Sequence, residues 1–240
     1  MPFIPCCLAL WLVAAQTAAK ELAIVTGELT VTMEAQSSWT IRSVQYQGTQ
    51  VIIPAGGQGA VIMPKGGQWV GSAMRPEVTE PVKSLEVLAD GVAVTLAGAS
   101  QVKGEKVIVR KQSQLGGFEH SAETTFEKDR IVQKHAFAAT EDMQLQNFYA
   151  FIYSFTTAGR AWAAQPLDGA LRTGAFKGEG HVPGATCEWM AQYDAASQKG
   201  ALVYFQTPFA GPGALTAYWD TKSYHKLFAQ PVNGSVKKGA

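Results

Sequence analysis

The stretch FEHSAETTFEKDRIVQKHAF, running from Phe118 to Phe137, decides how the fold is read. A tight turn at Lys128-Asp129 would place Glu127 opposite Arg130 and Glu123 opposite Lys134. Both are opposite-charge pairs on one face, the arrangement that favours an antiparallel hairpin in this register. The other face then carries Phe118, His120, Phe126, Ile131, His135 and Phe137. A slip of one residue would exchange the faces and lose both charge pairs.

Working outward, strand patterns recur on both sides. Leu22–Val25, Leu29–Met33, Trp39–Tyr46, Val51–Ile53, Val61–Met63 and Leu85–Leu88 are alternating or wholly apolar runs bounded by Gly, Pro or Asp. Ala89-Asp90-Gly91 is a hairpin signal, because Asp-Gly tolerates the positive φ angles of a two-residue turn. Thr140–Phe155 predicts a strand buried on both sides. Leu145, Tyr149, Phe151, Tyr153 and Phe155 would share one face, with Phe148 and Ile152 on the other. No window shows convincing helical spacing. The expectation is an all-β chain of about 12–16 strands, a large antiparallel β-sandwich of the supersandwich kind, with a jelly roll as the alternative.

The N-terminus, MPFIPCCLALWLVAAQTAA, has no charged side chain, an apolar run from Cys6 to Ala15 and small residues at its end. That pattern predicts a secretory signal over residues 1–19, then one β-sandwich domain over 20–240. Secretion or a periplasmic location follows. Cys6 and Cys7 would leave with the signal, so Cys187 would have no partner for an internal disulfide. They stand at the start of the apolar run, the wrong end for a lipoprotein anchor.

Charged residues make up 16% of the 240-residue chain and the net charge is +1, so no broad field points to nucleic acid or an anionic membrane. No second apolar run is long enough to span a bilayer, and no membrane insertion is expected after signal removal. Two glycine-rich stretches, Pro54–Gly71 and Pro166–Gly184, read as long loops between strands. Neither leads into the Lys-Ser or Lys-Thr of a phosphate-cradling loop.

The sequence carries no Gly-x-Ser-x-Gly, no His-Glu-x-x-His and no Cys/His set placed for a thiol nucleophile. His120 and His135 are the most specific pair available. In the proposed register they are diagonal neighbours, with Cα atoms about 7–8 Å apart. Two such imidazoles suit proton exchange or hydrogen bonds to a sugar hydroxyl. They equally suit ordinary hydrogen-bonded positions at the edge of a core. No metal is expected, since no third ligand follows from the spacing. Glu119 and Glu123 fall on the polar face, and nothing ranks Glu179 with Glu188. Aromatics crowd the C-terminal third: Trp162, Trp189, Tyr193, Tyr204, Phe209, Tyr218, Trp219 and Tyr224. Most should fill the core. Trp69 and Trp162, beside long loops, are the expected exceptions.

The order of hairpins resembles the galactose-mutarotase-like supersandwich of aldose epimerases and of polysaccharide lyase β-domains. The residues that carry the likeness are Trp39–Ile53, Phe118–Phe155, Glu188–Asp194 followed by Gly200–Phe205, and Tyr224–Phe228. The resemblance is one of fold. Aldose epimerases carry a histidine in the segment comparable to Gln146-Asn147-Phe148-Tyr149-Ala150-Phe151, and this chain has none there. The expected function is therefore carbohydrate binding by an exported domain, the ligand a polysaccharide. A lyase or epimerase on the same fold is the alternative, with His120, His135, Tyr149 and Arg160 converging in a cleft. A non-catalytic envelope module is a third reading. Trp69, Trp162, His181 and Trp189 are the expected ligand-binding residues, and no cofactor is expected.

Overall fold

The computed structural model describes residues 20–240, apart from 75–77, 97–100, 210 and 212. The signal expected over residues 1–19 lies outside the described residues. The chain folds as an all-β sandwich whose sheets are antiparallel almost throughout. The largest sheet has 12 strands. Across it run His181–Ala185, Leu215–Asp220, His225–Gln230, Met143–Phe155, Thr49–Ile52, Thr40–Tyr46, Leu29–Glu34, Glu21–Thr26 and Gln101–Lys103. Gly59–Pro64 and Gly234–Val236 also pair with Met143–Phe155, and Val70–Gly71 pairs with Gly59–Pro64.

Two smaller sheets pack on one face of the large one. Arg130–Ala139, Phe118–Glu127, Lys106–Leu115, Val82–Ala89 and Val92–Ala93 form a five-stranded sheet. Arg172–Ala175, Ala161–Pro166, Cys187–Asp194 and Lys199–Tyr204 form a four-stranded sheet. One core joins all three. Leu22, Ile24, Val31, Ile41, Tyr153 and Leu227 of the large sheet meet Val107, Val109 and Phe126 of the second and Ala164, Cys187 and Met190 of the third. Burial of this apolar surface is the main force holding the layers together. The free thiol of Cys187 is sealed within it, and burial pushes its pKa up to about 11.

The hairpin has the register read from its charges. His120 stands opposite Phe137, Glu123 opposite Lys134 and Glu127 opposite Arg130. Lys134 reaches Glu123 at 3.5 Å and Arg130 reaches Glu127 at 2.6 Å. Asp90 and Gly91 both take positive φ, +49° and +84°, in the turn that pairs Ala89 with Val92.

Met143–Phe155 is a strand, and Ile152 to Phe155 are buried in unbroken succession. One expected face is corrected. A bulge between Tyr149 and Ile152 adds a residue to this strand, so Tyr149 turns to the side of Ile152. Phe151, Tyr153 and Phe155 face the shared core, while Tyr149 and Ile152 pack with Val61, Ala217 and Phe228 on the outer face.

Candidate functional site

Lys106–Leu115 turns alternate residues inward, and along that stripe Val107 and Val109 are followed by Lys111 and Ser113 before Leu115. A lysine on a buried face needs a partner there, because an unpaired charge in the interior is very costly. Glu80, in the segment entering Val82–Ala89, supplies it. Lys111 Nζ donates to Glu80 Oε2 at 2.9 Å and to the Ser38 carbonyl at 3.1 Å. Ser72 and Ser113 also donate to the Glu80 carboxylate. His120 Nδ1 completes the set at 2.6 Å from Oε1.

The tautomers follow from this geometry. An ionised carboxylate only accepts, so His120 donates from Nδ1 and its Nε2 is left as an acceptor. His135 Nδ1 lies 2.9 Å from that Nε2 and must donate to it. The lone pair of His135 Nε2 is then sealed from solvent with no partner among the described residues. Beside it lies a cavity of about 20 Å³ lined by Trp39, Thr40, Lys111, Thr124, Gln133 and His135, with room for one water molecule. Burial alone would raise the Glu80 carboxyl, but the His120 hydrogen bond and the Lys111 ammonium outweigh it and hold the group well below the usual range. Burial, reinforced by His120 and Lys111, pushes His135 down to about 3. The resting state is a Glu80–Lys111 ion pair carrying two neutral imidazoles.

This relay is closed. His120 is 1% exposed and its ring stacks on Phe137 at 4.4 Å. The expected cleft of His120, His135, Tyr149 and Arg160 is therefore corrected: only the two histidines meet. Tyr149 lies on the outer face of the large sheet, stacked on Trp69 at 5.6 Å. Arg160 is exposed at the start of the four-stranded sheet, where its charge acts on Asp194. The physical reason is the bulge, which reverses Tyr149, together with the placement of Arg160 on a separate sheet.

The four expected ligand-binding residues fall into two groups. Trp69 and His181 belong to the outer face of the large sheet, with His181 edge-on to Phe228 at 5.7 Å. Trp162 and Trp189 belong to the four-stranded sheet. The Trp162 ring packs against the shared core, so close over Gly174 that a Cβ there would meet it at 2.7 Å, and Trp162 also lines the concavity on this sheet. Trp189 is half-buried, opposite both Gln165 and Tyr204.

The open face of that sheet was missed as a surface. In register across the Ala161–Pro166, Cys187–Asp194 and Lys199–Tyr204 strands lie Ala163, Ala191 and Leu202, and beside them Ala161, Tyr193 and Gly200. Thr173 extends the first row. Tyr193 is 46%, Leu202 63% and Tyr204 56% exposed. Ala161, Trp162, Ala163, Thr173, Ala191 and Tyr193 line a concavity of about 400 Å³, within the size range of small-ligand sites. The tyrosines were read from sequence as core filling. Period-two alternation was the available signal, since Trp189, Ala191 and Tyr193 share a face opposite Met190.

A histidine–aspartate pair holds a loop in place. Asp220 holds His225 Nδ1 at 3.0 Å and also accepts the N–H groups of Lys177 and Gly178, pinning the second glycine-rich loop. Phe176 from that loop stacks on the His225 ring at 3.6 Å. Among the described residues no group of three His, Cys, Asp or Glu side chains is placed to hold a metal ion. No helix among them is long and apolar enough to cross a membrane. Comparison with protein-family models, with curated proteins and with solved structures returned no match to this chain.

Proposed function

We propose that this chain is an exported, non-catalytic carbohydrate-binding domain, and that the outer face of its four-stranded sheet holds the sugar polymer. The observation that carries the reading is the concavity floored by alanines and bordered by the exposed Tyr193 ring, with Tyr204 and Trp189 on the same face. Small residues leave room for a pyranose ring to approach the sheet, and flat aromatic rings with polar edges match its apolar faces. Trp189 and Tyr193 stand four residues apart on one strand, about 13 Å along it, a span that suits several linked sugars. The face is broadly apolar, which favours neutral polymers over charged ones. Exposed aromatic clusters of this kind mark recognition surfaces.

The test is retention of the full chain by a panel of neutral and anionic polysaccharides, with unsaturated-product absorbance followed in parallel. Retention without product, weakened about 2- to 10-fold by each of Tyr193→Ala and Tyr204→Ala, is the expected result. Product formation would replace the reading with a lyase. A structural module of the envelope is the second reading, favoured by the sealing of His120 and His135. An absence of retention on every polymer would move the chain there.

A further inference from the structure

Lys226 is a buried residue whose cation has no counter-ion among the described residues. It lies on the outer face of the large sheet, in register with Ser154 on one side and Trp219 on the other. The side chain of residue 226 is covered by the first glycine-rich loop, and the residue is only 6% exposed. No hydrogen bond or ion pair to a carboxylate engages its Nζ among the described residues, and the Tyr224 ring lies 5.6 Å away.

The nearest charge has the same sign. Arg42 Nη1 donates to Gln58 Oε1 at 2.8 Å and to the Gly56 carbonyl at 3.3 Å. Lys226 Nζ sits so close to Gly56 that a Cβ on that residue would meet it at 2.7 Å. Gly56 takes φ +63° and has no side chain, so the loop can close over both cations. Arg42 Nε is sealed without a hydrogen-bond partner among the described residues, with Glu34 at 3.8 Å offering charge but no hydrogen bond. Glu34 offsets one of the two cations, and among the described residues no second carboxylate pairs with the other. Burial, and then the Arg42 charge, push the Lys226 pKa down to about 8, which still leaves most of it charged at neutral pH.

Two cations converge on one glycine, and among the described residues neither donates a hydrogen bond to a carboxylate. We propose that the Lys226–Arg42 pair is a binding site for a small oxyanion, a carboxylate or a phosphate group. Lys226 supplies the charge-assisted hydrogen bond and Arg42 the second positive charge. Trp219, 45% exposed and next to Lys226 in the sheet, offers a flat surface for the body of an organic anion. The site is independent of the sugar-binding reading, since it lies on a different sheet.

The experiment titrates the full chain with phosphate, acetate and benzoate against sodium chloride at matched ionic strength. Thermal unfolding and the 15N resonance of the Lys226 ammonium are followed together. The expected result is a saturable rise in Tm above chloride for at least one oxyanion, with the Lys226 pKa moving upward at saturation. Lys226→Met, which removes an unpaired buried charge and should fold, is expected to weaken that response about 10- to 100-fold. A preference for benzoate that Trp219→Ala removes assigns an organic carboxylate, and an undiminished phosphate response in Trp219→Ala assigns a phosphate group; either supports the site. No saturable response to any oxyanion, or a response retained in Lys226→Met, overturns it.

Discussion

His120 donates from Nδ1 to Oε1 of Glu80 at 2.6 Å, tying the Phe118–Glu127 strand to the segment that enters Val82–Ala89. Three of the four donors that meet on Glu80 come from side chains more than 30 residues away, Ser72 being only eight away, and the carboxylate has an acceptor position for each. The cluster therefore acts as a polar clasp inside an apolar interface.

Glu80→Gln should be among the most damaging single changes in the domain. It leaves the Lys111 ammonium buried without a counter-ion, which typically costs about 3–5 kcal/mol. The double variant Glu80→Leu/Lys111→Met should recover much of that loss, because it removes both charges at once. Urea denaturation of the single and double variants checks this, and equal losses in both would show that the charges are not coupled.

Stability should fall as pH drops below about 6.5. His135 in the folded state is pushed down to about 3, so between those values the unfolded chain binds a proton that the native state refuses. More protons on the unfolded state means that stability rises with pH across this window. Glu80 acts in the same direction at lower pH. Its folded pKa is depressed, so its contribution is present above the unfolded value and is lost as pH falls through the folded one. His135→Gln should flatten the slope between pH 6.5 and 4, read from Tm against pH. An unchanged slope would locate the proton uptake elsewhere.

Lys226→Met should raise stability at neutral pH by about 1–3 kcal/mol, because an apolar side chain of similar length replaces an ammonium that has no counter-ion among the described residues. Its folded pKa of about 8 is below the ordinary 10.5. Wild type should therefore gain stability as pH rises from 8 towards 10.5, and the gain should be smaller in the variant. Parallel pH profiles for the two proteins would contradict this.

Tyr193→Ala and Leu202→Ser should leave unfolding within about 0.5 kcal/mol of wild type, since both side chains are exposed. Any loss of polysaccharide retention in these variants is then a loss of contact surface. A drop in Tm of several degrees would mean that these residues hold the four-stranded sheet together.

The legibility of the fold differed from residue to residue for physical reasons. The Phe118–Phe137 register was readable because charge pairs and apolar alternation are local and agree. Lys111 was readable in principle, as a charge on the inward stripe Val107, Val109, Lys111, Ser113, Leu115. Glu80 was not, because its segment has no periodicity and its partners Lys111, Ser113 and His120 lie 31 to 40 residues away. Tyr149 was misplaced because a bulge breaks the period-two count without leaving a mark in the residues themselves.

The amino-acid order alone determined the strand class, the central hairpin and the proximity of His120 to His135, since each follows from neighbours along one or two adjacent strands. Tertiary structure decided what those residues could do. Packing of the layers sealed the histidines around Glu80, placed Lys226 beside Arg42 under a glycine loop, and left Tyr193 and Tyr204 in the open. Which face of a strand is covered depends on sheets that arrive from elsewhere in the chain, and periodicity cannot report that.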